Sequence, residues 1–515
     1  MMKNLATNNT LNTNFKFKFT QIIKRYLPLL LIVLFLLVTA DAILAVAAGM
    51  PDTDTHFIIS TGKYIVENKE VPKINPFIID ENFKVIIQQW SFDVIVYLLY
   101  SSFSYAGIFV FACFFMLVAM FIGYKFISLY TDNFNIKLLM MTCFIRVYYT
   151  WAQTRPTLIS FSLLLTTIIV LEYFRRDRKK WLIYFLPLIS LITINIHASM
   201  WPMMFVVMLP YICPNIFTLF CDFKNAISVW WNTWKRVIFL IPVMILVGFI
   251  NPNGLRGMGY VFLSYGTANS IAITELLSPM IATINGLRII LVLIVLMIYI
   301  FKNKRKVDSA PLYMTLGTLL LASMHLRNGW FLLFGSMPLL ITLLNDVKFL
   351  DIKKSNKFKN ATKAIVALAS VIIVLIVACT YTFHITDNAY YSINAANYLD
   401  QFKNREDIIM YTEFNNGAYM EFRGYKVLID ARPELYAKKI NGQKDLLSEW
   451  DKARRDVFYL ETMIEQYGFS HMLVEDGSIV YGYMVNHSNY EPIIEGNGYV
   501  LYQKIGWVGD SMLVH

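Results

Sequence analysis

A short acidic segment directly after the first long apolar run holds the residues best suited to chemistry. Asp52, Asp54 and His56 alternate with threonines beside a hydrocarbon boundary, where solvation is poor. A carboxylate in such a place can accept a proton from a substrate hydroxyl or bind a cation through oxygen. We take Asp52 as the candidate base. Asp54 can share that role or hold Mg²⁺ or Mn²⁺ together with Asp52, and His56 can complete the cation site or orient Asp52 by a hydrogen bond. The alternative is a solvated loop without a catalytic role, and no feature of the sequence requires a cofactor.

Basic side chains further along the chain indicate an anionic ligand. They stand at the ends of later apolar runs, at Arg155, His197, Arg256, His325 and Arg327. One such residue alone is most simply an interfacial anchor. The topology derived below brings all of them to the face that carries the acidic segment, and a guanidinium fork matches the oxygens of a phosphate. We therefore take the arginines as candidate phosphate ligands and the histidines as secondary donors.

The composition indicates an integral membrane protein. Hydrophobic residues make up 57% of the 515 residues and charged residues only 16%, which is too few to cover the surface of a soluble fold. Apolar runs long enough to cross a bilayer, about 17 to 25 residues each, are centred near Leu36, Phe115, Cys143, Leu165, Leu188, Val207, Met244, Leu293, Leu319, Leu339 and Ile373. The sequence therefore predicts a membrane all-α fold, a polytopic bundle of about eleven transmembrane helices.

The basic clusters orient these spans. Clusters before the first span and at 175–180, 224–236, 302–306 and 348–363 mark cytoplasmic loops, because positive charge is retained on the inner side. Neighbouring clusters must be separated by an even number of crossings. This holds only if the shorter apolar stretch Ser91–Ser101 stays on the outer face as a juxtamembrane or re-entrant helix. The net charge of +11 comes mostly from these cytoplasmic basic residues, which face anionic membrane lipid.

This topology divides the chain into three parts. Residues 1–26 form a cytoplasmic tail, residues 27–385 the transmembrane part with a first outer loop at 50–106, and residues 386–515 a small extracytoplasmic α/β domain outside the cytoplasmic membrane. The last part has no long apolar runs and shows mixed periodicity. In it we predict, in order, a helix at 390–403, strands at 408–411 and 426–429, a long helix at 446–467, and strands at 471–474 and 499–504.

Charged residues follow one of these predicted strands. Asp430, Arg432 and Glu434 stand where α/β domains often place binding groups. The alternative, which we favour, is a salt bridge that holds the domain on the membrane face. No P-loop, GxGxxG or zinc-finger spacing occurs, so nucleotide and nucleic-acid binding have no support.

Several of these residues also carry a family resemblance. In the first outer loop it rests on the segments Asp52–His56, Gly62–Ile65, Val71–Pro72, Asn75–Phe77 and Gln89–Trp90. They resemble the corresponding loop of bacterial GT-C superfamily membrane glycosyltransferases and their uncharacterised relatives, which typically have Asp where Asn75 stands and Glu where Gln89 stands. Later segments resemble the same group, at 251–254, 327–328, 417–420, 426–432 and 435–436.

The resemblance implies an inverting transferase that moves a sugar from a polyprenyl-phosphate carrier to a cell-envelope glycan or other glycoconjugate on the outer face. Asp52 matches the family's loop aspartate, and the cations at the outer span ends would bind the phosphate of the lipid-linked donor. A polysaccharide polymerase, a lipid-linked-sugar transporter and a non-catalytic membrane protein of the same fold stay open as alternatives. A transporter is disfavoured, because it should carry ionisable groups near mid-membrane and these spans carry almost none.

Overall fold

The protein is mostly helical, as the apolar runs predict. The computed structural model describes residues 26–266, 279, 283–303, 307–347, 350, 356–383 and 385–509. Almost all of the predicted cytoplasmic tail and several residues of the basic clusters lie outside these ranges. The helices before the C-terminal part are α1 (Tyr26–Ala48), α2 (Thr53–Asn68), α3 (Trp90–Ile127), α4 (Phe134–Tyr148), α5 (Thr157–Arg175), α6 (Leu186–Ile196), α7 (Trp201–Ile212), α8 (Ile216–Cys221), α9 (Phe223–Val247), α10 (Gly254–Met258), α11 (Tyr260–Ser264), α12 (Ile284–Asn303), α13 (Ser309–Met324), α14 (Phe331–Leu344) and α15 (Asn356–Thr380).

Every predicted apolar centre lies inside one of these helices. Among the described residues, α1, α3, α5 and α15 contain stretches long and apolar enough to cross a bilayer on their own. Shorter apolar stretches accompany them, at Lys180–Ile196, Ala198–Ile212, Ser309–Met324 and Phe331–Leu344. These helices support a multi-pass membrane protein, while the count of about eleven crossings is not confirmed and stays a prediction.

Helices α2 and α3 position the acidic segment. Asp52 is the N-cap of α2, which follows α1 after a few residues. Gly62 allows α2 to approach α3 closely, because a Cβ at that position would lie 2.1 Å from the carbonyl oxygen of Asp93. The stretch Ser91–Ser101 is helical, as predicted, and forms the first part of α3. This helix is interrupted at Ser104, whose φ of 54° is incompatible with helical geometry.

The end of α5 that we predict to be cytoplasmic is fixed by a buried carboxylate. Glu172 is fully buried and pairs with Arg175 at 2.7 Å and with Arg176 at 2.6 Å. Arg175 also pairs with Asp308 at 2.9 Å, which ties α5 to the segment before α13. A buried carboxylate requires such partners, because its desolvation is costly. The ion pairs anchor one end of α5, and Arg155 stands just before the other end.

The C-terminal part contains a four-stranded mixed sheet. Its strands are β1 (Met410–Tyr411), β2 (His471–Glu475), β3 (Tyr490–Glu495) and β4 (Tyr499–Lys504), in the spatial order β1-β2-β4-β3. β1 pairs with β2 in parallel, and β4 pairs antiparallel with both β2 and β3, with His471 opposite Gln503. The accompanying helices are α16 (Ile393–Leu399), α17 (Gly417–Phe422), α18 (Lys438–Asn441), α19 (Leu446–Ala453), α20 (Val457–Tyr467) and α21 (Ile479–Met484).

The strands predicted at 471–474 and 499–504 are confirmed, and the strand predicted at 426–429 is wrong. In that segment Val427 forms isolated bridges with Ile78 and with Met410. Val427 therefore lies between the first outer loop and β1. A strand would require a continuous ladder of paired residues, and this segment forms only single bridges.

The long helix predicted at 446–467 is also wrong, because it is divided into α19 and α20. Asp456 starts the second helix by accepting a hydrogen bond from the backbone N–H of Phe458 at 2.9 Å. Strand β3 was not predicted. It lies at the sheet edge, and most of its side chains are exposed or half-buried. Its sequence therefore lacks the alternation of apolar and polar residues by which a strand is recognised.

The first outer loop belongs to the core of the C-terminal domain. Ile78 and Phe83 are buried in one apolar cluster with Met420 and Val427. The backbone N–H of Val427 donates to the carbonyl of Phe77 at 2.9 Å. The loop and the domain therefore form one layer, and this layer brings further residues to the candidate site.

Candidate functional site

The acidic segment meets Arg155 where α2 and α5 begin. Arg155 Nε lies 2.8 Å from Asp54 Oδ2 and 3.8 Å from Asp52 Oδ2. The side chains of Asp52, Asp54 and Arg155 are 13%, 20% and 27% exposed, so the cluster is shielded but accessible. The structure therefore brings together the candidate base, the second carboxylate and one of the predicted phosphate ligands.

The two carboxylate oxygens of Asp52 have different environments. Oδ1 accepts from the backbone N–H of Thr55 at 3.0 Å and from the Thr55 hydroxyl, and the Asp52 N–H donates to Thr55 Oγ1 at 3.2 Å. Oδ2 is buried and accepts no hydrogen bond from a described residue. Burial raises the pKa of the Asp52 carboxyl group, and the charge of Arg155 opposes the shift. One oxygen is thus fixed by the helix, and the other is available to a proton donor.

Two threonine hydroxyls close to Arg155 in sequence also have no partner among the described residues. Thr154 and Thr157 flank the turn that leads into α5, and their buried Oγ1 atoms form no hydrogen bond with a described residue. A buried polar group without a partner costs about 1 to 3 kcal/mol. Their position next to the carboxylate cluster favours a site that receives polar groups of a ligand.

The carboxylates of Asp52 and Asp54 both lie close to the guanidinium of Arg155. Within the described ranges, no three His, Cys, Asp or Glu side chains come together as metal ligands. Arg155 already supplies the positive charge and contacts Asp54 directly. The predicted Mg²⁺ or Mn²⁺ would require Arg155 to move away and further oxygen ligands to replace it.

His56 faces an aromatic cluster. Its Nε2 lies 3.1 Å from Tyr105 Oη, and its ring packs edge-on against Tyr391, Tyr419 and Phe422 at centroid distances of 5.2, 5.3 and 5.0 Å. Burial lowers the pKa of the imidazole to about 3, so the ring is neutral. The predicted hydrogen bond from His56 to the acidic segment is therefore not formed. This side chain joins α2 to the C-terminal domain.

His197 and Arg327 form a second cluster. His197 follows α6, and its Nδ1 lies 2.9 Å from the hydroxyl of Ser160 near the start of α5. Burial and, to a smaller extent, the positive charge of Arg327 lower the pKa of His197 to about 3. Arg327 is exposed, and its guanidinium forms no hydrogen bond or ion pair with a described residue. Two predicted phosphate ligands thus act on each other electrostatically, and Arg327 is available to an anion.

Arg256 binds the C-terminal domain. Its Nη2 donates to the carbonyl of Ile440 at 2.6 Å. In the next helix the Tyr260 hydroxyl donates to Glu434 Oε1 at 2.7 Å. These bonds attach α10 and α11 to the C-terminal domain and direct Arg256 toward a protein carbonyl. His325 stands at the end of α13, two positions before the arginine of the second cluster.

The favoured interpretation of Arg432 as a structural residue is confirmed. Its guanidinium pairs with Glu421 at 2.7 Å and with Asp430, and its Nη1 donates to Thr61 Oγ1 at 3.2 Å. The guanidinium also lies 4.8 Å from the ring centroid of Phe57. The ion pairs lie within the C-terminal domain, and the hydrogen bond to Thr61 and the contact with Phe57 attach that domain to α2.

The positions that differ from the family's usual carboxylates make local hydrogen bonds. Gln89 Nε2 donates to Asp93 Oδ1 at 2.9 Å, which joins the start of α3 to the residue preceding it. Asn75 Oδ1 accepts from the backbone N–H of Phe77 at 3.1 Å in the first outer loop. Both amides thus stabilise the loop that carries the resemblance.

Tyr391 of the C-terminal domain was not among the site residues predicted from the sequence. Its hydroxyl donates to the carbonyl of Pro51 at 2.7 Å, directly before Asp52. Burial raises the pKa of Tyr391, and the charges of Asp52 and Asp54 raise it further. A tyrosine in a loop gives no signal of its own. The detectable signal was Asn388, whose side chain accepts from the Tyr391 N–H at 3.0 Å in a turn.

Comparisons with known proteins identify the fold. No protein-family model matches the chain, and no curated protein matches it in sequence. An oligosaccharyltransferase from Archaeoglobus fulgidus, tethered to an acceptor peptide that contains the NVT sequon, matches with a TM-score of 0.54 and 10% identity over 88% of this chain and 69% of that chain. The oligosaccharyltransferase AglB from the same organism, in complex with an inhibitory peptide and a dolichol-phosphate, matches with a TM-score of 0.56 and 9% identity over 88% and 70%. The predicted GT-C resemblance is therefore confirmed at the level of the fold.

Proposed function

We propose that the protein is an inverting membrane glycosyltransferase that takes a sugar from a polyprenyl-phosphate-linked donor and attaches it to a hydroxyl of a cell-envelope glycan or other glycoconjugate. The observation that carries the proposal is the cluster of Asp52, Asp54 and Arg155 at the starts of α2 and α5. The fold shared with an oligosaccharyltransferase bound to dolichol-phosphate supports a lipid-linked donor. The proposed location of the site is the outer face of the cytoplasmic membrane.

Asp52 is the general base of the proposed reaction. The acceptor oxygen forms a bond to the anomeric carbon while the bond from that carbon to the phosphate oxygen breaks. The hydroxyl proton passes to Asp52 Oδ2, and the bonding electrons leave with the phosphate. Oδ2 suits this role because it accepts no hydrogen bond from a described residue and belongs to a carboxyl group whose pKa is raised. A single displacement of this kind inverts the anomeric centre.

Arg155 keeps the carboxylates charged despite their burial. An adjacent positive charge favours the ionised form of a carboxyl group. Arg155 Nε is 2.8 Å from Asp54 Oδ2 and 3.8 Å from Asp52 Oδ2, so of these two carboxylates Asp54 is the nearer. We propose that Asp54 holds Arg155 in this position and thereby leaves the base free to accept a proton.

Arg327 is the proposed ligand of the donor phosphate. It is exposed and forms no hydrogen bond or ion pair with a described residue, so no described carboxylate competes with the phosphate for its guanidinium. His197 is neutral beside it. The Ser160 hydroxyl donates its proton to the carbonyl of Pro156 at 3.1 Å, so its oxygen is left to accept a hydrogen bond from His197 Nδ1. In this tautomer Nε2 carries no proton, so His197 is not a donor to the phosphate in the proposal. His325 remains a secondary donor in the proposal, and Arg256 is assigned to the domain contact.

Donor consumption by purified protein tests the proposal. Full-length protein in lipid nanodiscs is incubated with a panel of radiolabelled polyprenyl-phosphate hexoses and a cell-envelope glycan fraction. We expect the wild type to release polyprenyl phosphate and label the glycan, and Asp52→Asn to do neither at a comparable rate. Glu67→Gln is the matched control, because Glu67 is an exposed carboxylate on the same helix. Binding of the donor without its consumption would support the non-catalytic alternative. If the protein neither bound nor consumed any donor, the proposal would be refuted.

A further inference from the structure

The C-terminal domain contacts the peptide unit that precedes the proposed base. Tyr391 Oη donates to the carbonyl oxygen of Pro51 at 2.7 Å. Proline has no backbone N–H, so its carbonyl is the one backbone group through which this residue can be held by a hydrogen bond. The bond therefore fixes the chain immediately before Asp52, on the side opposite to the α2 capping bonds.

Tyr391 is itself held firmly. The side chain of Asn388 accepts from the backbone N–H groups of Tyr390 and Tyr391 at 2.8 and 3.0 Å, and the Asn388 N–H donates to the Tyr391 carbonyl at 3.1 Å. The Tyr391 ring packs edge-on against His56 at 5.2 Å and against Tyr419 at 5.9 Å. Because the aromatic packing fixes the ring, the hydroxyl has little freedom to leave the Pro51 carbonyl.

We infer that Tyr391 is a positioning residue of the proposed glycosyl transfer and that the C-terminal domain is thereby a working part of the active site. The hydroxyl holds the backbone at Pro51, and the backbone sets where Asp52 Oδ2 lies relative to Arg155. The phenol does not take the proton itself. It acts through Asp52, so its loss should slow the chemical step without weakening donor binding at Arg327. This inference rests on the proposed function.

The substitution Tyr391→Phe removes the hydroxyl and keeps the ring that packs on His56. Tyr390→Phe is the matched control, because Tyr390 is the preceding residue and 48% exposed. Both variants are prepared as full-length protein in nanodiscs, and initial rates are measured against donor concentration. We expect kcat of Tyr391→Phe to fall about threefold to tenfold, the scale of one lost hydrogen bond, with the donor KM and the donor titration unchanged. Tyr390→Phe should behave as the wild type.

Hydrogen exchange separates this inference from the proposed function. In the absence of any donor, the amides of residues 52–56 should exchange faster in Tyr391→Phe than in the wild type and in Tyr390→Phe. That difference would support the positioning role even if the wild type transferred no sugar. Unchanged exchange together with unchanged kcat would overturn the inference. A parallel loss of donor binding, kcat and thermal stability would also overturn it, because it would show that the hydroxyl supports the fold as a whole.

Discussion

Asparagine at position 52 removes the proposed base while keeping the helix start. The Asp52 Oδ1 cap on the Thr55 N–H can be reproduced by an amide oxygen, and Asn and Asp are about equally good N-cap residues. The expected change in folding free energy is therefore only a few tenths of a kcal/mol. The amide cannot accept a proton at the position of Oδ2, so kcat should fall by about 10² to 10⁴, the usual contribution of a general base.

The pH dependence gives a second, independent test of the same residue. Only the ionised carboxylate of Asp52 can accept the proton, so the rate should be lost as the pH falls through the pKa of the folded protein. Burial raises that pKa above the ordinary value of 3.8, and the acidic limb of kcat/KM should therefore lie above pH 3.8. In Asp52→Asn this limb should disappear from the residual rate.

Initial rates of donor consumption, measured between pH 4 and pH 9 for the wild type and the variant, provide the assay. A donor titration in parallel should give the same affinity for both proteins, because Asp52 contacts the acceptor side of the reaction. Full turnover by Asp52→Asn would refute the assignment. A low rate with the acidic limb retained would mean that another group is the base.

Other predictions concern the remaining clusters. Arg327→Ala should weaken donor binding by about 1.5 to 3 kcal/mol, with partial rescue by Lys, and an unchanged donor titration would remove this residue from the site. EDTA should leave turnover unchanged, because Arg155 already supplies the positive charge beside the carboxylates, whereas a loss restored by Mn²⁺ would show that a cation replaces it. Arg432→Met should lower the unfolding free energy by about 3 to 5 kcal/mol, because it leaves Glu421 and Asp430 buried without their cation, and an unchanged denaturation midpoint would contradict that role.

The apolar runs were enough to locate the membrane helices, and they were not enough to count the crossings. Runs centred at positions such as Leu165 and Ile373 coincide with helices that can cross a bilayer alone. The run centred at Cys143 forms a helix from Phe134 to Tyr148, which is shorter than a bilayer requires. Whether such a helix crosses the bilayer depends on its tilt and on the neighbouring helices, and hydropathy gives no information on either.

The candidate site was partly predictable because each of its residue types has a local signature. Asp52 is the N-cap of a helix and Asp54 lies in its first turn, where carboxylates are favoured, and Arg155 stands at a span end. The pairing of residues about a hundred positions apart is a tertiary property. The same absence of tertiary information explains the outcome for His56 and Arg256. The sequence predicted both residues on the membrane face that carries the acidic segment. Their side chains contact the C-terminal domain, and the sequence pattern does not show where that domain docks.

The contacts of α2 explain why that docking bears on catalysis. One face of α2 packs on α3 at Gly62, where the backbones are too close for any larger residue. The C-terminal domain holds α2 and the residue before its N-cap at three successive levels. Tyr391 contacts Pro51, the aromatic cluster surrounds His56, and Arg432 contacts Thr61. A helix held on both sides cannot shift or tilt freely, so its N-cap carboxylate keeps a fixed position relative to Arg155. The base of the proposed reaction must be held to within a fraction of an ångström, and we propose that the C-terminal domain supplies this rigidity.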